Sequence, residues 1–113
     1  MGDDNLGLLR GTLDLLILKA LATGDKHGYA VSEWIESATD GNLLVEEGTL
    51  YPALHRLARK GLVGATWGVS ENNRRAKYYT LTVDGGKHLE EETTTWRRYS
   101  DAMERALAQG RAG

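Results

Sequence analysis

Residues 46–63, EEGTLYPALHRLARKGLV, constrain this chain more than any other stretch. They hold its single proline, Pro52. Proline lacks an N–H, so it belongs in or close to the first turn of a helix. That places the helix start near residues 47–49, with Thr49 as a candidate cap, and Lys60-Gly61 as its end. At helical spacing Leu50, Ala53, Leu54, Leu57 and Gly61 share one side. Pro52, His55, Arg56 and Arg59 share the other, with Thr49, Tyr51 and Lys60 at the margins. One side is dry; the other is polar, basic and free of carboxylates. Such a helix packs on a small core and offers its outer face to phosphates and base edges.

The flanking sequence supplies that core. A first helix is expected over residues 10–22, with Thr12 and Asp14 in its first turn. Leu9, Leu13, Leu16, Ile17, Ala20 and Leu21 form its apolar stripe, widened by Leu15 and Leu18. A helix apolar over so much of its surface is buried on more than one side. A second helix follows over residues 27–38, with Tyr29, Ala30, Ile35 and Ala38 inward and His27 as a capping or packing residue. Residues 42–45 are expected as a very short strand. The gap before the third helix is short, as a helix-turn-helix requires. Residues 62–67 and 76–82 are rich in β-forming side chains. The turn formers of residues 68–75 join them into a hairpin with a basic tip.

The last helix is expected from Thr82, as cap, to about residue 108. Leu89, Trp96 and Met103 are seven apart, and Thr93, Ser100 and Leu107 interleave at the same period, with Tyr99 and Ala106 beside them. At about 1.5 Å per residue this helix is roughly 39 Å long, more than a domain this small needs. The simplest way to bury its stripe is a symmetric dimer, in which it packs on its copy and on the copy's first helix. Packing within one chain is the alternative. The expected dimer residues are Leu13, Leu16, Ile17, Leu89, Trp96, Tyr99, Met103 and Leu107. The fold class is therefore mainly α with a small β-hairpin. Residues 1–8 form a flexible lead-in, 9–82 a winged helix-turn-helix, 83–109 a dimerisation helix and 110–113 a tail.

Charge sharpens the reading. The net charge of −2 argues at first against an anionic partner. Yet residues 48–82 carry six Lys/Arg against Glu71 alone, while the remainder carries eight against fifteen acidic residues. One basic third on an acidic scaffold is a local anion-binding face. With 113 residues there is room for one modest core. Without cysteine there is no disulfide framework or thiolate metal site, which fits a reducing, cytoplasmic setting. Neither a signal peptide nor a membrane span is legible.

Catalytic chemistry finds no support. His27, His55 and His88 have no metal-binding spacing, and no nucleophile elbow or phosphate loop is present. Glu90-Glu91-Glu92 is a consecutive run whose carboxylates point around a helix rather than into one site. No enzyme, metal or cofactor is expected. For double-stranded DNA the parts cooperate. The third helix suits a major groove about 12 Å wide. Arg56 and Arg59 can donate to guanine edges or phosphates, His55 and Thr49 can reach bases or backbone, and the Tyr51 hydroxyl suits a phosphate. Asn72, Asn73, Arg74, Arg75 and Lys77 would follow the flanking backbone or minor groove.

These residues carry a resemblance. LDLLILKAL (residues 13–21), HGY (27–29), EEGTLYPALHRLARKGLV (46–63) and RRAKYYTLTVDG (74–85) resemble the PadR-type family of bacterial transcriptional regulators. GTLYPALHRL is the most specific block, and the likeness spans about residues 8–107. The resemblance implies a winged-helix dimer of the short-tailed branch, with one C-terminal helix, binding palindromic promoter DNA, usually as a repressor. Carried over by position are Thr49, Tyr51, Pro52, His55 and Arg56 in the recognition helix and Arg74, Arg75 and Lys77 in the wing. It also implies release by small aromatic compounds bound near the dimer core. Trp96, Tyr99 and Ser100 are the candidate effector residues, with two Trp96 rings either stacking on a planar guest or simply filling the interface. Two rival classes stay open: a winged helix used only for protein–protein contact, and a small enzyme or metal protein.

Overall fold

The structure is a computed structural model and describes residues 11–110. The expected lead-in, residues 1–8, lies outside them, as do Leu9, Arg10 and the last three residues of the tail. The elements run α1 (Thr12–Ala22), β1 (Lys26–His27), α2 (Gly28–Ala38), α3 (Glu47–Arg59), β2 (Val63–Val69), β3 (Arg75–Leu81) and α4 (Val83–Leu107). Mainly helical with one small sheet, this is the winged helix-turn-helix plan followed by a C-terminal helix.

Each helix end has a chemical reason. At the C-terminus of α1, Lys26 Nζ donates to the Ala20 carbonyl at 3.0 Å and the Gly24 carbonyl at 3.2 Å. A cation there answers both the unpaired carbonyls and the helix dipole. His27 caps α2: its Nδ1 accepts from the Ala30 N–H at 3.2 Å. The end of α3 closes with Leu62 N–H donating to Leu57 O at 3.0 Å and Gly61 N–H to Ala58 O at 3.0 Å. Thr82 caps α4, its Oγ1 accepting from Gly85 N–H at 2.9 Å.

The core lies where α1, α2 and α3 meet the base of the sheet. Ile17 and Leu18 of α1, Val31 and Ile35 of α2, and Leu50, Leu54 and Leu57 of α3 are fully buried there. Val63 and Tyr79 close it from the strands. Burying a side chain of this size is worth roughly 1.5–3 kcal/mol, so this cluster is the main favourable term in folding.

Several sequence expectations are corrected. Residues 42–45 are not a strand; they run irregularly between helices, with Ser32 Oγ donating to the Val45 carbonyl at 3.2 Å. The third strand is β1 instead. It pairs antiparallel with β3 through Lys26↔Tyr79 and His27↔Tyr78, giving sheet order β1-β3-β2. Two residues are too few to show a period-two pattern. In α2 the inner residues are Val31 and Ile35, while Tyr29 is 66% exposed and Ala38 faces solvent. Thr49 does not cap α3. Glu46 occupies that position, and its carbonyl accepts from the Thr49 and Leu50 N–H groups at 2.9 Å each. Pro52 therefore sits in the second turn, where its ring removes the donor that would meet the Gly48 carbonyl. Gly48 is exposed, so that carbonyl faces water. The hairpin strands run further than expected, leaving residues 70–74 as a tight tip.

Among the described residues no helix is long and apolar enough to cross a membrane, and no group of His, Asp and Glu could hold a metal ion.

Candidate nucleic-acid interface

At helical spacing the outer crest of α3, opposite its buried seam, consists of Gly48, Pro52, His55 and Arg59. All four are exposed. Tyr51 occupies one flank, half-buried against the core and lying against Gly28. A Cβ at Gly28 would stand 2.5 Å from the Tyr51 hydroxyl, so glycine there is what lets α2 and α3 approach so closely. Thr49 and Arg56 lie on the opposite flank.

Arg56 corrects the sequence reading. Its guanidinium does not stand free on the outer face. Nη2 is hydrogen-bonded to Asp14 Oδ1 of α1, with the two side chains 42% and 26% exposed. The cause is rotational: Arg56 sits far enough around α3 to reach back to α1, and Asp14 is the carboxylate waiting there. The pair ties the candidate recognition helix to the first helix. Because both partners are partly solvated, Arg56→Ala should cost roughly 1 kcal/mol of stability or less. Melting curves of Asp14→Ala, Arg56→Ala and the double variant should show non-additive losses.

Beside the crest the sheet forms a hairpin wing. Its register sets Trp67 opposite Lys77 and Val69 opposite Arg75. Alternation along the strands therefore puts Val63, Ala65, Trp67 and Val69 on the same face as Arg75, Lys77, Tyr79 and Leu81. At the base this face closes the core. Toward the tip it becomes cationic. Arg75 stacks over the Trp67 ring at 4.6 Å, and Lys77 lies over the Tyr79 ring at 5.9 Å. Asn73 takes a left-handed conformation (φ 58°), which asparagine tolerates better than most residues. Ser70 N–H donates to the Arg74 carbonyl at 2.7 Å, and Asn73 N–H to the Ser70 carbonyl at 2.9 Å. Asn72, Asn73 and Arg74 thus stand at the exposed tip.

Helix and wing enclose a groove of about 940 Å³. Tyr51 and His55 line it from α3, His27, Gly28, Tyr29 and Glu33 from β1 and α2. From the wing come Trp67, Asn72, Arg74, Arg75 and Lys77. Tyr79 forms part of its wall; burial pushes this phenol above its ordinary value, with Tyr51 adding to the shift, so it stays neutral. Six of the twelve expected DNA-binding residues, Tyr51, His55, Asn72, Arg74, Arg75 and Lys77, thus line one concavity, and Pro52 and Arg56 do not. Asn73 lies at the tip, and Thr49, Arg59 and Lys60 lie exposed on or beside α3, outside the groove. Sequence reasoning missed His27, Tyr29 and Trp67. For Trp67 a signal existed, a tryptophan two residues from a turn on an otherwise small-residue strand.

The expected dimer residues divide. Ile17 is fully buried in the chain's own core, so it is not available to a partner. Leu13, Leu16 and Leu89 pack against that core as well but stay only partly buried. Trp96, Tyr99, Met103 and Leu107 are exposed, Leu107 by 73%. Trp96 and Tyr99, with ring centroids 6.3 Å apart, join Leu15, Thr12, Glu92 and Thr95 around a second groove of about 430 Å³. Ser100 does not line it.

Residues 17–91 match the family model described as the transcriptional regulator PadR-like family. The chain is 30% identical over 97 residues to Uncharacterized protein X of Lysinibacillus sphaericus, covering 86% of this chain and 89% of that one. It is 36% identical over 81 residues, 72% of its own length, to Transcriptional regulator YqjI of Escherichia coli, of whose length it spans 37%. Among solved structures it is similar to a PadR family transcription regulator from Clostridium difficile (TM-score 0.76, 31% identity, covering 87% of this chain and 100% of that one). It is likewise similar to a PadR-like transcriptional regulator from Bacillus cereus (TM-score 0.78, 28% identity, 90% and 97% covered). The family match runs through the same helices and strands that frame the groove, and it places this chain in the PadR-like family of transcriptional regulators.

Proposed function

We propose that this regulator is a homodimeric repressor that grips a palindromic promoter site in cytoplasmic DNA. The observation that carries the proposal is the groove between α3 and the wing, which sets exposed His55 opposite Arg74, Arg75 and Lys77. A helix crest and a cationic finger on one concave face suit a major groove and its flanking backbone. In this reading Thr49, Pro52, His55, Arg59 and Lys60 meet base edges and phosphates from α3. Tyr51 offers its hydroxyl from the groove wall, and Asn72, Asn73, Arg74, Arg75 and Lys77 follow the backbone. Arg56 acts indirectly, by tying α3 to α1.

Trp96, Tyr99, Met103 and Leu107 recur along α4 at near-heptad spacing and are exposed on the single chain. In the proposed dimer they meet their copies. The groove beside Trp96 supports gating by a planar aromatic compound, and Glu92 on its rim favours a cationic one. Selection of bound DNA from a random pool tests the proposal. The expected outcome is a two-fold symmetric site whose half-sites lie about one helical turn, roughly 34 Å, apart. Enrichment of no symmetric motif would count against it. Gating predicts that planar cations change Trp fluorescence and lower DNA affinity together; fluorescence unmoved across a panel of them removes that part of the proposal.

A further inference from the structure

The wing carries a feature that charge alone does not explain. Trp67 is a large ring left 59% exposed, outside the buried core cluster. It stands two rungs in from the last pair of the hairpin, Val69↔Arg75, on the strand face that lines the groove. Arg75, on the facing strand and diagonal to it, lays its guanidinium over the ring at 4.6 Å. One aromatic face is thus already occupied by a cation that the proposed function assigns to DNA.

We propose that Trp67 is a positioning residue of the wing: its indole face holds the Arg75 guanidinium in the groove, pre-set to meet a DNA phosphate. An unstacked arginine on a hairpin this exposed would sample many rotamers and lose that freedom on binding. Stacking restricts the rotamers beforehand while leaving the guanidinium edge free to donate. The attraction of a cation to an indole face survives partial exposure to water, and a ring wider than leucine is needed to supply it. Lys77 has a weaker version of the same arrangement, 5.9 Å above the Tyr79 ring, and that ring is fixed by the core. The Trp67 ring is fixed chiefly by its strand, so it can be replaced without disturbing the fold.

This inference rests on the reading of the groove as a DNA interface, and the test separates the two. Affinity for a promoter fragment is measured across a salt series for the wild type, Trp67→Leu, Trp67→Tyr, Arg75→Gln and the Trp67→Leu/Arg75→Gln double variant. The expected result for Trp67→Leu is an affinity loss of about threefold to tenfold with an unchanged melting temperature. Its salt slope should move toward that of Arg75→Gln, which lacks one phosphate contact per bound wing and should be shallower by about 0.9, or twice that if both wings of a dimer bind. In the Arg75→Gln background Trp67→Leu should add little, and Trp67→Tyr should keep most of the wild-type affinity and slope. A wild type that binds while Trp67→Leu binds equally well or more tightly overturns the inference alone. So does additivity of the two losses, which would make the ring an independent contact. A Trp67→Tyr as weak as Trp67→Leu overturns it too. A wild type that binds no DNA at low salt overturns the groove reading and this inference together.

Discussion

Replacing Gly85 with alanine should lower the melting temperature by about 10–20 °C, corresponding to roughly 3 kcal/mol in a domain of this size. Gly85 is in the first turn of α4, which is seated against the turn between α3 and β2. A Cβ there would stand 2.0 Å from the Leu62 carbonyl oxygen and 2.8 Å from Leu81 Cδ1. The leucine side chain could move; the carbonyl cannot without dislodging its neighbours. Leu62 O accepts from Thr82 N–H at 3.2 Å, and Gly61 O accepts from Thr82 Oγ1 at 2.7 Å. Those bonds hold the cap of α4 on the end of α3. Alanine must lift α4 away and break them. Gly86→Ala is the control, because a Cβ there meets nothing closer than 4.0 Å. It should stabilise slightly, since alanine favours a helix interior by up to about 1 kcal/mol over glycine. Differential scanning calorimetry of the two variants reads both effects. Equal melting temperatures would contradict the seating of α4.

The second large effect concerns assembly. Trp96→Glu with Met103→Glu should leave a folded monomer whose DNA affinity is at least about 100-fold below that of the wild type. Both side chains are exposed in the single chain, Trp96 by 38%, so the substitutions cut little of its core. Within a two-fold interface each glutamate meets its own copy or an apolar face, which is desolvation without a partner. Losing the proposed dimer would turn one two-site encounter into two separate weak ones. Sedimentation velocity gives the assembly state, and a gel shift gives the affinity. A double variant that stays dimeric would move the interface off this face. A monomer with undiminished affinity would mean that each subunit binds DNA alone.

Much of this was legible in the chain because long amphipathic elements announce themselves. α4 was expected from a Thr82 cap to about residue 108 and runs Val83–Leu107 with that cap. Spacing identifies Leu50, Ala53, Leu54 and Leu57 as the buried seam of α3, while Gly61, grouped with them, lies exposed beyond the helix end. What escaped depends on contacts between distant segments. β1 is two residues, visible only through its pairing with β3. The inward side of α2 escapes because a tyrosine among small apolar residues reads as core, whereas Tyr29 is exposed and lines the groove. Arg56 belongs to the outer flank by spacing, and only the third dimension brings Asp14, 42 residues away, within its reach. The same limit applied to α1. Its broad apolar surface suggested a second subunit, but much of that surface is covered by α2, α3, α4 and the sheet of the same chain.

The central claim is that cations on one helix crest and one hairpin form a single DNA-gripping face on an otherwise acidic body. Its most direct test is the salt dependence of binding to a selected duplex, for the wild type and for Arg74→Gln/Arg75→Gln. The account predicts that log affinity falls steeply with log salt for the wild type. In the double variant the slope should be shallower by about 1.8, or twice that if both wings of a dimer bind. Identical slopes for the two proteins would contradict it.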